Sequence, residues 1–207
     1  MQKNPKNGAQ SVPLKPVPIR VRLGGQKRET GLRCPFGGPS NFDPSKTDRV
    51  SFTVSVAPDS PEAQFATMLD GHLKSAFKDR IGELMPSTTP DQLGEKWKTW
   101  LKQSKSEEHW PVLSVEVQKT GGRPTRFYEA TTEENVKEDG STELKTVRKR
   151  LTDTELEKVN WKYARVSVIV EIRNIWMQPH QLGATVDACE VLVHPEDDQC
   201  GFDSDSE

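Results

Sequence analysis

Residues 163–177 read YARVSVIVEIRNIWM, and this stretch decides the fold. Apolar and polar side chains alternate along it, which is typical of a long strand with one buried and one exposed face. The predicted inner face consists of Ala164, Val166, Val168, Val170 and Ile172. Pro179 and Gly183 interrupt the pattern, and residues 184–193, ATVDACEVLV, form the last predicted strand.

Shorter strands are predicted upstream of this pair. Residues 19–23 (IRVRL) and 49–56 (RVSFTVSV) alternate in the same way. Residues 112–117 alternate again, and 126–130 (RFYEA) is the expected hairpin partner, reached through a turn at 121–123.

Two helices are predicted between the early and the late strands. Ser60 suits an N-cap and Pro61 suits the first turn of a helix over 60–84 that has one apolar stripe. A second helix is predicted from Thr89, with tryptophans on one face and lysines beside them. Residues 131–160 are polar and are interpreted as a charged excursion from the core.

These elements predict a mainly β fold with inserted helices (α+β), built as a small, partly open antiparallel barrel. The chain has no regular alternation of strand and helix that would favour a parallel sheet. We expect a disordered basic arm over 1–18, a single domain over 19–195 with a helical insertion at about 60–105, and an acidic disordered tail over 196–207.

The net charge of −2 conceals an asymmetry between the body and the tail. The tail holds six acids and no base, whereas residues 1–195 hold 29 bases against 25 acids. Such a tail can imitate a polyanion and occupy the basic surface of its own domain. A plain solubilising terminus is the alternative.

Composition also bears on the compartment. The three cysteines cannot all pair, so free thiols in a reducing, intracellular compartment are expected, in the cytoplasm or nucleus of a host if the protein is viral. No apolar run approaches the ~20 residues of a membrane span. The N-terminus lacks the apolar segment of a secretory signal.

Catalytic and metal motifs are not apparent in the sequence. The glycine pairs lack the residues of a phosphate loop, and the four histidines are scattered without zinc-ligand spacing. No pair of carboxylates is singled out for acid–base chemistry. We therefore expect a protein without enzymatic activity and without a cofactor.

Aromatic residues interleaved with bases are the remaining chemical signal. Single-stranded nucleic acid is bound by this combination, because bases stack on aromatic rings while Lys and Arg meet the phosphates. The candidate binding residues are Lys98, Lys102, Arg123, Arg126, Phe127, Tyr128, Trp161, Lys162, Tyr163, Arg165, Arg173 and Trp176.

The tryptophans are ambiguous, because a large aromatic can fill a core as well as stack on a base. Core positions are expected for Trp97, Trp100 and Trp110, and Trp176 also suits a core cap at the end of its strand. The better stacking candidates are Phe127, Tyr128 and Trp161, which lie beside polar, turn-rich sequence.

Four phrases and the tail together resemble a known family. They are HWPVLSVEV at 109–117, VIVEIRNIW at 168–176, LGATV at 182–186 and EVLVHP at 190–195. In this order they resemble the OB-fold single-stranded-DNA-binding proteins of T7-like phages and of large eukaryotic DNA viruses. The chain departs from the pattern at Ala184, where an aromatic is usual, and at Phe202, which is not terminal.

The resemblance implies an OB-like barrel whose basic face holds single-stranded DNA during replication, recombination or repair of a viral genome. It also implies that the acidic tail regulates binding and recruits replication proteins. The tail residues concerned are Glu196, Asp197, Asp198, Phe202, Asp203, Asp205 and Glu207.

Two other function classes stay open on the sequence. A viral structural or assembly protein would use a β domain for protein contacts and a basic arm for nucleic acid. An enzyme would need a clustered carboxylate or histidine site. A homodimer is compatible with each of these functions. The sequence also leaves open whether the protein prefers DNA or RNA.

Overall fold

The computed structural model of the protein describes residues 2–3, 10–14, 18–39, 49–104, 106, 108–136 and 142–194. They form a mainly β structure with a few helices. The strands are β1 (Gln2–Lys3), β2 (Gln10–Pro13), β3 (Ile19–Leu23), β4 (Leu32–Arg33), β5 (Arg49–Ser55), β6 (Trp97–Lys98), β7 (Leu101–Lys102), β8 (Val112–Gln118), β9 (Arg126–Val136), β10 (Thr142–Arg150), β11 (Arg165–Gln178) and β12 (Gln181–His194). The helices are α1 (Pro61–Lys78), α2 (Ile81–Leu84), α3 (Leu93–Lys96) and α4 (Asp153–Lys158), with a 3-10 turn at Arg28–Thr30.

The predicted strand pair is confirmed as an antiparallel hairpin of β11 and β12. Val166, Val168, Val170 and Ile172 are completely buried, as their alternation predicted. The ladder shifts register twice, between Ile169 and Val170 and again between Ile172 and Asn174. Such bulges bend a strand and increase its twist, so the hairpin can wrap around a core.

The sheet is partly ring-like, because its pairings return to their starting strand. β11 pairs with β4, β4 with β5, β5 with β8, β8 with β12, and β12 with β11 again. β3 and β2 extend along the remaining edge of β11. The inner side of this ring carries the fully buried Leu23, Phe52, Leu113 and Val115.

The predicted hairpin between 112–117 and 126–130 is wrong. β8 pairs with β5 and β7 instead, and both β8 and β9 run parallel to β12, one after the other along its edge. The sheet is therefore mixed rather than antiparallel throughout. The partner of β9 is β10, so the polar stretch predicted as an excursion begins as a long two-stranded hairpin.

The beginning of the chain also differs from the disordered arm predicted over 1–18. β2 pairs with residues 174–177 of β11, and β1 pairs with β2. Val12 and Leu14 pack against the core. The backbone of this segment therefore completes the hydrogen bonds of an otherwise open edge of β11.

The first predicted helix is confirmed from its N-cap, where the Ser60 hydroxyl accepts a hydrogen bond from the Ala63 amide at 3.2 Å. α1 ends at Lys78, and α2 follows as a separate turn of helix.

The second predicted helix is wrong beyond α3. The buried Asp70 carboxylate of α1 accepts hydrogen bonds from the Trp97 indole at 2.9 Å and from the Trp100 amide at 2.7 Å. Trp97 also pairs with Leu182 of β12. These contacts draw the segment out as β6 and β7, so its lysines lie on short strands.

Candidate nucleic-acid interface

The outer face of the β11–β12 hairpin collects arginines from several strands. Because the even-numbered residues of β11 between Val166 and Ile172 fill the core, the odd-numbered residues face outward. The ladders then align Arg22, Ile169, Glu190 and Arg126 in one row across four strands. A second row runs through Arg20, Glu171 and Asp187.

Two adjoining depressions lie on this outer face, which we call the arginine face. Their walls hold seven arginines and three carboxylates, so the face carries a local excess of positive charge. The arginines are Arg20, Arg22, Arg123, Arg126, Arg148, Arg150 and Arg173, and the carboxylates are Glu171, Asp187 and Glu190. Tyr128 lines the same walls.

The carboxylates fix individual guanidinium groups on this face. Glu190 pairs with Arg126 at 2.6 Å, and Glu171 pairs with Arg173 at 2.6 Å. Burial opposes the charge on Arg173, but its hydrogen bond to Glu171 and the nearby Asp187 raise its pKa above the ordinary value. Held in place in this way, an arginine loses less conformational freedom when it binds an anion.

The depressions continue toward β5 through a further ion-pair network. Asp187 is buried and forms a hydrogen-bonded ion pair with Arg49, which also lies 3.5 Å from Glu116. Arg123 approaches Glu171 at 4.0 Å and is otherwise exposed to solvent. At these positions a phosphate oxygen can replace a carboxylate as the acceptor of the arginine N–H groups.

The opposite end of the face, beside β4, has a different charge environment. Burial, followed by the nearby charges of Arg33 and Arg28, lowers the pKa of Arg165. One of its guanidinium nitrogens donates to the Gly31 carbonyl at 3.2 Å. Arg33 and Arg165 stand directly opposite each other in the β4–β11 ladder.

A buried hydrogen-bond chain supports this end of the face. The Ser167 hydroxyl donates to the Gly25 carbonyl, so the His194 ring, 3.0 Å away through Nε2, acts as donor to Ser167. Burial lowers the pKa of His194, with Glu29 raising it and Arg28 and Arg148 lowering it.

The structure brings together some of the predicted binding residues and separates others. Four of the predicted binding residues line the depressions and so share one surface: Arg123, Arg126, Tyr128 and Arg173. Arg165, Lys162 and Tyr163 lie at the β4 end.

The lysine candidates occupy another part of the sheet. Lys98 lies on β6, and Lys102 lies on β7 with its ammonium group 3.1 Å from the Ser114 hydroxyl. Neither lines the two depressions. Their place follows from the neighbouring Trp97 and Trp100, which hydrogen bonds to Asp70 hold.

Two of the favoured stacking aromatics belong to the core. Trp161 is only 3% exposed and makes edge contacts with Phe52 and Phe127, with ring centroids 5.8 and 6.5 Å apart. Phe127 is buried on the inner side of β9. Their rings present no face to solvent, so the prediction that they stack on bases is wrong, and the turn before β11 directs the indole inward.

The other tryptophans divide differently from the prediction. Trp97 and Trp100 are buried, which confirms their core positions. Trp110 is 52% exposed, so its predicted core position is wrong. Trp176 is half-buried and lies over Gly183, its cross-strand partner, where a Cβ would approach the indole closely.

Sequence reasoning missed four arginines of the depressions and one exposed aromatic. The arginines are Arg20, Arg22, Arg148 and Arg150. The alternation in IRVRL already placed the first two on one face, but the register with β11 was needed to bring them to the others. Phe36, which is 71% exposed, lies in a loop that gave no periodic signal.

The tail residues predicted to regulate binding, from Glu196 to Glu207, lie outside the described residues. Within the described part of the chain, no group of three His, Cys, Asp or Glu side chains could hold a metal ion. No helix in that part is long and apolar enough to cross a membrane. Cys34 and Cys189 are free thiols, and burial raises the pKa of Cys34 to about 12.

Comparison with known proteins gives a likeness to solved structures. A scan against protein-family models finds no match for the chain, and a search of curated proteins finds none. Among solved structures, the chain is similar to a C-terminal truncation of the single-stranded DNA-binding protein from bacteriophage Enc34. The two share 13% sequence identity, the alignment covers 91% of this chain and 96% of that one, and the TM-score is 0.43.

Proposed function

We propose that this chain is a non-catalytic, single-stranded-DNA-binding protein that coats DNA during replication, recombination or repair. Its arginine face, with seven arginines against three carboxylates in two adjoining depressions, is the observation that carries the proposal. The ring of strand pairings supports reading the fold as an OB-like, partly open barrel whose outer face carries the site.

The chemistry of the face suits a phosphate backbone. Arginine presents a planar fork of donors that matches phosphate oxygens, and several arginines in a row follow a chain of phosphates. Arg22 and Arg126 stand in the same cross-strand row, while Arg20 stands in the next. The carboxylates between them keep the guanidinium groups apart and oriented.

A single strand fits this face better than a duplex because an aromatic ring lies among the arginines. Tyr128 is half-buried and shares a depression with Arg22 and Arg148. A ring in that position can stack only on a base that is not already paired and stacked on both sides.

The tail proposal concerns the start of the tail at the end of β12. His194, the last described residue, pairs with Arg165, and its pKa is affected by Arg28 and Arg148. A segment with six acids that continues from this point starts beside the arginine face. We assign it the roles of a tethered competitor for the face and a hook for replication proteins.

Removal of residues 196–207 tests the tail directly. The truncated protein should bind oligo-dT more tightly than the full chain at low salt, and the gain should shrink as salt rises because the competition is between screened charges. If the truncated protein and the full chain bound with equal affinity at both low and high salt, the tail would be only a solubilising segment. Loss of binding to replication proteins in the same variant would support the role of the tail in recruiting them.

The strand preference tests the function itself. Fluorescence titrations of the full chain with oligo-dT, duplex DNA and RNA of equal length should give the tightest binding to dT, with a site size near the ~4–16 nucleotides of an OB fold. Equal affinity for duplex and single strand would contradict the proposal. Self-association into a closed or filamentous particle without strand preference would favour the assembly protein.

The compartment and oligomeric state remain parts of the proposal. Cys34 and Cys189, which are free thiols, support a reducing intracellular compartment. A homodimer is compatible with the face, and sedimentation of the free chain would decide it.

A further inference from the structure

Phe36 is a large aromatic held in solvent by a firmly anchored turn. Its ring is 71% exposed, while the preceding Cys34 is buried. The Gly37 amide donates to the Cys34 carbonyl at 3.1 Å, and Gly37 adopts a φ of 84°, which favours glycine. Gly38 lies so close to the Trp161 indole that a Cβ there would clash with it. Both sides of the turn are therefore fixed to the core.

Tyr163 lies on a second turn that is anchored by the same indole. Its side chain is 49% exposed, and the Lys162 ammonium group lies 5.2 Å from the ring centroid. The Tyr163 amide donates to the Asn160 carbonyl at 3.1 Å, which closes the turn around the buried Trp161.

The two turns leave the same end of one strand pair. Arg33 is the last residue of β4 and stands opposite Arg165, the first residue of β11. Because the pairing is antiparallel, the chain that follows Arg33 and the chain that precedes Arg165 leave the ladder at the same end. Phe36 and Tyr163 lie within three residues of these partners, one on each chain.

The charge at this end favours an anionic ligand. Arg28 and Arg33 are close enough to Arg165 to lower its pKa, after the larger effect of its burial. In the described part of the chain, no carboxylate lies within ion-pair distance of Arg33 or Arg165. A phosphate would relieve the repulsion between these guanidinium groups.

We propose that Phe36 and Tyr163 form a base-stacking clamp at the β4 end of the arginine face, with unpaired bases of a single-stranded nucleic acid as its ligand. Arg33 and Arg165 hold the adjoining phosphates. This inference rests on the proposed function and adds where the strand is anchored. The strand then follows the outer side of β11 toward Arg173, roughly 26 Å away at about 3.3 Å per residue.

The experiment compares two strands of equal length and charge, oligo-dT and an abasic oligomer, on full-chain variants. Phe36→Ala should bind dT about 5- to 150-fold more weakly than the unaltered chain. Its affinity for the abasic strand and its salt dependence should stay unchanged, because a stacking ring neutralises no phosphate. Phe36→Trp should retain the affinity for dT.

Met68→Ala is the matched control, since Met68 is another exposed apolar residue and lies on α1. It should leave binding to both strands unchanged. Unchanged dT affinity in Phe36→Ala, or an equal loss on dT and on the abasic strand, would overturn the clamp while dT-selective binding by the unaltered chain still stands. If the unaltered chain shows no preference for dT over duplex, the proposed function fails together with the clamp.

Discussion

The segment 96–102 and the arginine face both interleave bases with aromatic residues, yet the structure uses them differently. In the first, Trp97 and Trp100 are buried and fixed by Asp70, and the lysines remain at the margin. In the second, arginines from four strands and one loop meet in two depressions. The binding surface is therefore recognised by the bases that different strands bring together. Bases that alternate with aromatic residues along the chain occur in a core segment as well.

Replacing Trp161 should have the largest effect on stability. Trp161→Ala removes an indole that contacts Phe52, Phe127 and Gly38, and it should lower the free energy of unfolding by about 3–5 kcal/mol. Trp161→Phe should cost less, because the indole N–H has no hydrogen-bond partner among the described residues. Urea unfolding measures both variants. If Trp161→Ala kept full stability but bound DNA more weakly, Trp161 would be a surface residue that contacts DNA.

Replacing Asp70 separates the core role of the 96–102 segment from binding. Asp70→Ala leaves the Trp97 indole N–H and the Trp100 amide without their buried acceptor, and it should destabilise the protein by about 2–4 kcal/mol. The affinity of the folded fraction for oligo-dT should not change. A variant of normal stability that binds DNA poorly would place the nucleic acid on this segment instead.

Acidification tests the support beneath the β4 end of the arginine face. Burial lowers the pKa of His194 in the folded protein, so the unfolded chain binds the proton more readily. The stability that this residue contributes is present above the ordinary pKa near 6.5 and declines as the pH falls below it.

Unfolding curves between pH 7 and pH 5.5 should therefore show a loss of stability that is smaller in His194→Gln. The groups that face the ring are Ser167, Glu29, Arg28 and Arg148, so the variant removes only one of several charges near this end. An identical pH dependence in the variant and the unaltered chain would assign the loss to other residues.

The β11–β12 hairpin was predictable because alternation is a local property of the sequence. Apolar residues occupy every second position from Val166 to Ile172, and burial of that face follows directly. The partners of β8 and β9 were not predictable in this way. Proximity in sequence favoured a hairpin between them, whereas one edge of β12 pairs with both in parallel, one after the other.

The candidate site was predicted in part for the same reason. Arg123, Arg126 and Arg173 were identified from their local composition, but Arg20 and Arg22 join them only through the register of β3 with β11. Trp161 was misassigned because polar neighbours indicated an exposed turn, while Gly38 and Phe52 close over the indole from distant parts of the chain.

The salt dependence of DNA binding tests the central claim most directly. The full chain, Arg20→Ala/Arg22→Ala and Lys98→Ala/Lys102→Ala are titrated with oligo-dT across a range of salt concentrations. If the strand lies on the arginine face, the arginine pair should reduce the slope of log K against log salt by roughly 1.4, about 0.7 for each phosphate contact, and the lysine pair should leave it unchanged. An unchanged slope in the arginine pair together with a reduced slope in the lysine pair would contradict this account.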